Sequence, residues 1–418
     1  MLETVRSAWK ITELRGRIIF TLLMFVVFRL GSHIPVPGID VAQLQEFFRG
    51  DSLFGFLNVI GGGALSNFTI FAMSITPYIN ASIIMQLLTV VIPRLEQLSK
   101  EGQEGKKVIS RYVRYGTVGL AFLQAIAMTF GLIREAIINP TALSYITIIM
   151  SLTAGTAFLM WLGEQISEKG IGNGISLIIF AGIIASFPGG TAQLIERIRV
   201  GQANYLAMIA IGIFALGLIV FIIALTQGER RIPVQYSKRV VGRRLYGGQS
   251  THIPLKVNQA GVIPVIFASS ILMFPPTLAQ FVNHPVAVRV ASLLDWGSPL
   301  NTVIYFSLIV FFTYFYTAIQ FNPVDVAQNI KKYGGFIPGL RPGRPTAEYI
   351  ERIVSRITLA GALSLALVAT LPILLQNFTD MNLIFSGTAL IIIVGVSLET
   401  MKQIESHLLM RHYQGFIK

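Results

Sequence analysis

Ten times along its 418 residues the chain runs for about 20 positions almost without charge. The runs extend roughly from Ile18 to Val36, Phe68 to Ile92, Tyr115 to Ile133, Leu143 to Leu162 and Ile171 to Phe187. They continue from Asn204 to Thr226, Ala260 to Val282, Leu300 to Phe321, Ile353 to Leu375 and Leu383 to Met401. A helix of about 20 residues is about 30 Å long, the hydrocarbon thickness of a bilayer. Charged residues make up only 13% of the chain, against about 25% in soluble proteins. In hydrocarbon each backbone N–H and C=O must find a partner within the protein, so runs of this length read as helices. The pattern predicts an all-α, polytopic membrane protein with ten transmembrane helices. The first run continues through Gly31, Ser32 and His33 without a small-residue cleavage site, so it reads as a span and not as a cleavable leader. With no cysteine, disulfides and thiolate metal sites are excluded.

The net charge of +13 becomes informative once it is laid on these spans. Basic residues gather in the N-terminal tail and in the second, sixth and eighth loops, for example Arg94 to Arg114, Arg230 to Lys256 and Lys331 to Arg356. The odd-numbered loops are nearly bare. The positive-inside rule then puts the even loops and both termini in the cytoplasm. Five spans per half is an odd number, so two related halves, 1–203 and 204–418, would be inverted in the membrane. Inverted repeats build transport pathways, and Gly/Pro-interrupted spans mark them. The second span holds Pro77 and the seventh, its counterpart, holds Pro264, Pro275 and Pro276.

The segment before Pro77 is the most unusual. A short apolar run, Leu53 to Ile60, meets three glycines, Gly61, Gly62 and Gly63, ahead of the second span. About eight helical residues reach only about 12 Å and cannot cross. Consecutive glycines break helix preference. Two readings remain open: a short piece of chain folded back into a cavity, or an outside loop with a surface-lying helix. The first is attractive because broken backbone at membrane depth is tolerated where it lines a cavity.

Catalytic groups are missing from the spans. Arg29, Glu164 and Glu399 stand near span ends, where snorkelling explains them. The five histidines form no metal-ligand spacing, and neither a nucleophile elbow nor a phosphate-binding loop is present. The chain therefore reads as a non-enzyme, with no catalytic residue, metal or cofactor. An ion-coupled transporter would carry Asp, Glu or His in mid-span. An uncharged pathway between broken helices suits a substrate without fixed chemistry, such as a polypeptide. The alternative is an inverted-repeat secondary transporter of a small solute.

Four stretches carry a more specific signal. Ser74 to Leu88 (SITPYINASIIMQLL) and Trp161 to Ile178 (WLGEQISEKGIGNGISLI) closely resemble signatures of the SecY family, the channel subunits of the bacterial protein translocon. Ser250 to Pro264 (STHIPLKVNQAGVIP) and Tyr333 to Ala347 (YGGFIPGLRPGRPTA) resemble it too, in order, over the whole chain. Ser74 departs from the family, which often has glycine there.

The resemblance implies a clamshell of two five-helix halves around an hourglass pore in the bacterial cytoplasmic membrane. Through it unfolded secretory polypeptides cross, and membrane segments leave sideways into lipid. It implies a constriction ring of Ile75, Ile79, Ile179, Ile183, Ile266 and Ile392. It implies a plug helix over about 53–65, including Phe54, Phe56, Leu57, Ile60 and Gly61 to Gly63. The lateral gate would carry Asn80, Ser82 and Gln86 on the second span and Ser269 and Ser270 on the seventh. The basic loops, about 227–259 and 322–352, would dock the ribosome through its RNA, or the SecA ATPase, by Arg230, Arg231, Lys238, Arg243, Arg244 and Arg341. Further implied partners are the SecE and SecG subunits, preproteins with their signal peptides, and membrane lipids. Ile219, on the sixth span, is expected to face lipid.

Overall fold

The computed structural model describes residues 9–41, 58, 61–131, 133–199, 205–236, 239–241, 244–246, 250–279, 289, 293–294, 298–379 and 386–415. Its helices are α1 (Thr12–Gly31), α2 (Thr76–Val91), α3 (Pro93–Lys100), α4 (Gln103–Gly131), α5 (Ala142–Lys169) and α6 (Gly174–Arg199). They continue as α7 (Tyr205–Gln227), α8 (Ile263–Ala279), α9 (Pro299–Gln320), α10 (Pro323–Lys332), α11 (Arg344–Thr379) and α12 (Gly387–Gly415). The ten apolar runs fall on α1, α2, α4 to α9, α11 and α12. Among the described residues, seven helices are long and apolar enough to cross a bilayer, and the bent pair of α2 and α3 makes an eighth. The remaining two fall short for separate reasons. α1 carries Glu13, Arg15, Arg17 and Arg29, and α8 is 17 residues long.

Local sequence explains several boundaries. Pro77 sits in the first turn of α2, where its missing N–H costs nothing. Pro93 ends α2 by forcing Ile92 into extended backbone (φ −98°, ψ 113°), and the chain turns by 101° into the amphipathic α3. On α3, Glu96 accepts from Lys100 at 2.6 Å and raises the lysine's pKa. Thr141, Ser298 and Asn322 cap α5, α9 and α10 by accepting from backbone N–H groups two or three residues on.

The second span is shorter than the sequence predicts. From Gly61 to Ile75 the backbone runs in successive turns, and helix begins only at Thr76. The cause is partly backbone: Phe68 and Ser74 both take positive φ, 41° and 52°, which no helix accommodates. The freed polar groups are met elsewhere. Val36 N–H donates to Phe68 O and Ile70 N–H to Ile34 O, both at 3.0 Å, so 34–36 and 68–70 join as a short bridge. The first span is correspondingly displaced, ending at Gly31, where the Phe71 ring leaves no room for a side chain.

One apolar core joins every span except α4, with Phe28, Ile79, Leu159, Ile179, Leu218, Val265, Ile309, Leu365 and Leu390 among its members. On the outside, α7 shows bilayer-facing side chains: Ile213 and Val220 are each 65% exposed. Ile219, expected to face lipid, instead lies partly buried against the core.

The departure from an all-α chain lies in the sixth and eighth loops. Strands β1 (Glu229–Tyr236) and β4 (Ser250–Lys256) pair antiparallel, from Glu229↔Lys256 to Gln235↔Ser250. β5 (Gly335–Phe336), from the eighth loop, adds to the other edge of β1. A two-stranded hairpin of β2 (Arg239–Val241) and β3 (Arg244–Tyr246) lies between β1 and β4 in the chain. Ile232, Val234, Leu255, Ile330, Ile337, Ile350 and Val354 form a separate small core beneath. What reads as two loops is one folded unit.

Candidate functional site

The six isoleucines singled out from the sequence lie in or against the same central apolar core. Ile75, Ile79, Ile179, Ile183 and Ile392 are each at most 8% exposed and belong to the central core, and Ile266 is packed against it. Ile75 stands just ahead of α2, and its carbonyl accepts from Ile79 N–H at 3.1 Å, which puts both on one face. Ile179 and Ile183 repeat that i, i+4 spacing on α6. The residues come from α2, α6, α8 and α12, two helices from each half. A surface of branched apolar side chains offers no hydrogen bond to water or to a passing peptide group.

The glycine turn lies against this core. A side chain on Gly62 (φ 64°) would sit 3.1 Å from the Cα of Gly182, the residue just before Ile183 on α6. Gly62 is thus required twice, by its φ and by the close approach. Ala64 and Leu65 are fully buried behind it. Phe54, Phe56, Leu57 and Ile60 lie outside the described residues.

α2, which carries Asn80, Ser82 and Gln86, packs against α8, which carries Ser269 and Ser270. Both serines on α8 are buried. Gln86 Nε2 donates to Ser82 Oγ at 3.4 Å, and Ser269 Oγ donates to Ile266 O at 2.9 Å, so these bonds stay within their own helices. Gln86 Oε1 is buried without a partner.

On the basic unit, Arg230, Arg231 and Arg341 are exposed. Arg231 pairs with Glu229 at 2.7 Å. Thr346 Oγ1 donates to Arg341 O at 2.9 Å and fixes the turn between Gly339 (φ 83°) and Gly343 (φ 112°). Arg244 lies in β3, while Lys238 and Arg243 lie outside the described residues.

Three contacts were not foreseen. Arg29 Nη1 donates to Gly62 O at 3.0 Å, so it turns inward and does not snorkel. The Gly170 to Gly174 loop is tied at both sides: Ile171 N–H donates to Thr21 Oγ1 on α1 at 3.1 Å, and Gly172 N–H to Gln403 Oε1 on α12 at 2.9 Å. The only sequence signal for these was a charge inside an apolar run and a glycine cluster. Among the described residues, no group of three His, Asp or Glu side chains is placed to hold a metal.

Comparison with known proteins bears on the same regions. The SecY family model matches residues 69–401, which takes in α2, the Gly170 to Gly174 loop, the basic unit and most of α12. The protein translocase subunit SecY of Halalkalibacterium halodurans is 50% identical over the full length of both chains. That of Thermus thermophilus is 46% identical, over 100% of this chain and 98% of its own. Among solved structures, one described as a SecY translocation channel whose plug domain stabilises its closed state superposes with a TM-score of 0.69 at 19% identity, over 94% of this chain and 92% of the other. With a family match over most of its length and a half-identical, end-to-end relative, the chain belongs to the SecY family.

Proposed function

We infer that the chain is a protein-conducting channel of the bacterial plasma membrane, through which unfolded secretory polypeptides pass. The observation that carries this reading is that isoleucines from four spans lie in or against one central apolar core, in a chain whose family match runs through each of them. Such a ring dewets a narrow passage and resists ions. It also gives a translocating backbone nothing to bind.

In its finer form, ten spans make two inverted halves, 1–203 and 204–418, that close like a clamshell. The seven or eight spans that meet a length and hydropathy standard, together with α1 and α8, are consistent with that count. Ile75, Ile79, Ile179, Ile183, Ile266 and Ile392 form the constriction. The segment 53–65 plugs it, with Gly61 to Gly63 as its hinge, in keeping with the plug described for the similar solved channel. The side exit opens between α2 and α8, where Gln86 Oε1 is left unpaired and available to an entering helix. Energy comes from outside, by SecA or translation, and the exposed arginines of the basic unit meet ribosomal RNA phosphates or the motor. SecE and SecG complete the complex.

The test uses the absence of native cysteine. Cysteine at Ile183 is paired with cysteine in a secretory protein stalled part-way across. A disulfide from Ile183→Cys, absent from the exposed positions Ile213→Cys and Val220→Cys, is the expected result. No crosslink from Ile183 or from the other five positions, with the stalled chain verified, would overturn the assignment.

A further inference from the structure

Arg29 follows the buried Phe28, two residues before α1 ends at Gly31, in a stretch otherwise without charge from Ile18 to Leu30. A charge in such a place is costly and is expected to do something specific. Its Nη1 reaches across 33 positions of sequence to the carbonyl of Gly62. The rest of the turn is shaped from within: Gly63 N–H donates to Asn58 O at 2.9 Å, Ser66 N–H to Asn58 Oδ1 at 2.9 Å, and Ser66 Oγ to Gly63 O at 3.0 Å. Among these bonds, the one from Arg29 is the one that fastens the turn to another span. It fastens it at the glycine that touches Gly182, between Ile179 and Ile183.

We propose that Arg29 is a positioning residue that sets the channel's stringency, holding the glycine turn on α6 so that a defective signal sequence does not open the passage. The proposal rests on the reading of Gly61 to Gly63 as a hinge above the isoleucine ring. Guanidinium and carbonyl form a charge-assisted bond, stronger than a neutral one. Its loss shifts a closed-to-open balance by about tenfold or more.

The readout is the export of one reporter with an intact signal sequence and with a signal shortened in its apolar helix, taken as a ratio. Arg29→Gln is expected to raise the defective-to-intact ratio about tenfold. Arg29→Lys, which keeps a charged donor, is expected to hold it near the parent value. Gly62→Ala attacks the same bond from the carbonyl side, because its Cβ would push on Gly182, and is expected to raise the ratio as well. This second variant decides the matter if Arg29→Gln does not accumulate in the membrane. A flat ratio in Arg29→Gln or, failing that variant, in Gly62→Ala overturns the proposal, as does an equal rise in Arg29→Lys. Failure of the parent to export the intact-signal reporter, or of cysteine at any of the six isoleucine positions to crosslink, would remove the channel reading itself. A normal parent and a positive crosslink with a flat ratio would remove only Arg29.

Discussion

Ser74 holds φ at 52° with its side chain buried. An L-residue in the left-handed region costs about 1–2 kcal/mol, which glycine avoids. Ser74→Gly is therefore expected to stabilise the protein by about 1 kcal/mol, net of glycine's greater unfolded-state freedom, as a higher unfolding temperature in detergent. The serine was legible as a departure from the family pattern, yet its φ was not, because it depends on how 61–75 turns against Ile34 and Val36. Arg29 was equally visible as a lone charge. Its partner was not, since Gly62 sits in a non-periodic turn that hydropathy cannot place. At the proposed ring, a polar group would hydrate what branched carbon would keep dry. Ile183→Asn is expected to raise resting ion conductance in planar bilayers, while a conservative Ile183→Val leaves it near parent.

Among the elements, the helices were legible nearly throughout, because each of the ten apolar runs falls on one. The basic loops were not. Glu229 to Tyr236 reads ERRIPVQY, in which only Ile232, Val234 and Tyr236 alternate, and Pro233 argues against a central strand. The structure resolves the conflict: β5 pairs only with Gln235 and Tyr236, so at Pro233 one side of β1 stays open. Partners for that strand come from Ser250 to Lys256 and from as far away as Phe336, beyond any local pattern. Ile350, fully buried, is shared by α11 and the sheet's small core. Ile350→Ala is expected to cost about 2–4 kcal/mol locally and to expose the strands, seen as faster limited proteolysis within 229–256.

Across the whole molecule, nine of the ten helices that carry the apolar runs share one apolar core, and the Gly170 to Gly174 loop adds a polar tie to Gln403 on α12. The burial of the proposed site was legible to the extent that it consists of side chains on helices, such as Ile179 and Ile183. It was illegible where it consists of backbone, such as Gly62 O. The exposed Arg341, on a turn fixed by Thr346, is expected to matter to a partner and not to folding. Arg341→Glu should cut motor-driven export several-fold while membrane accumulation and thermal stability stay within about 0.5 kcal/mol of parent. The strand that joins the sixth loop to the eighth has a mechanical consequence. α7 runs into β1, β4 runs out towards α8, and β5 lies between α10 and α11. A partner that grips this sheet takes hold of a handle rooted in several spans at once, so a push delivered at one point is shared among them, where a floppy loop would only have bent.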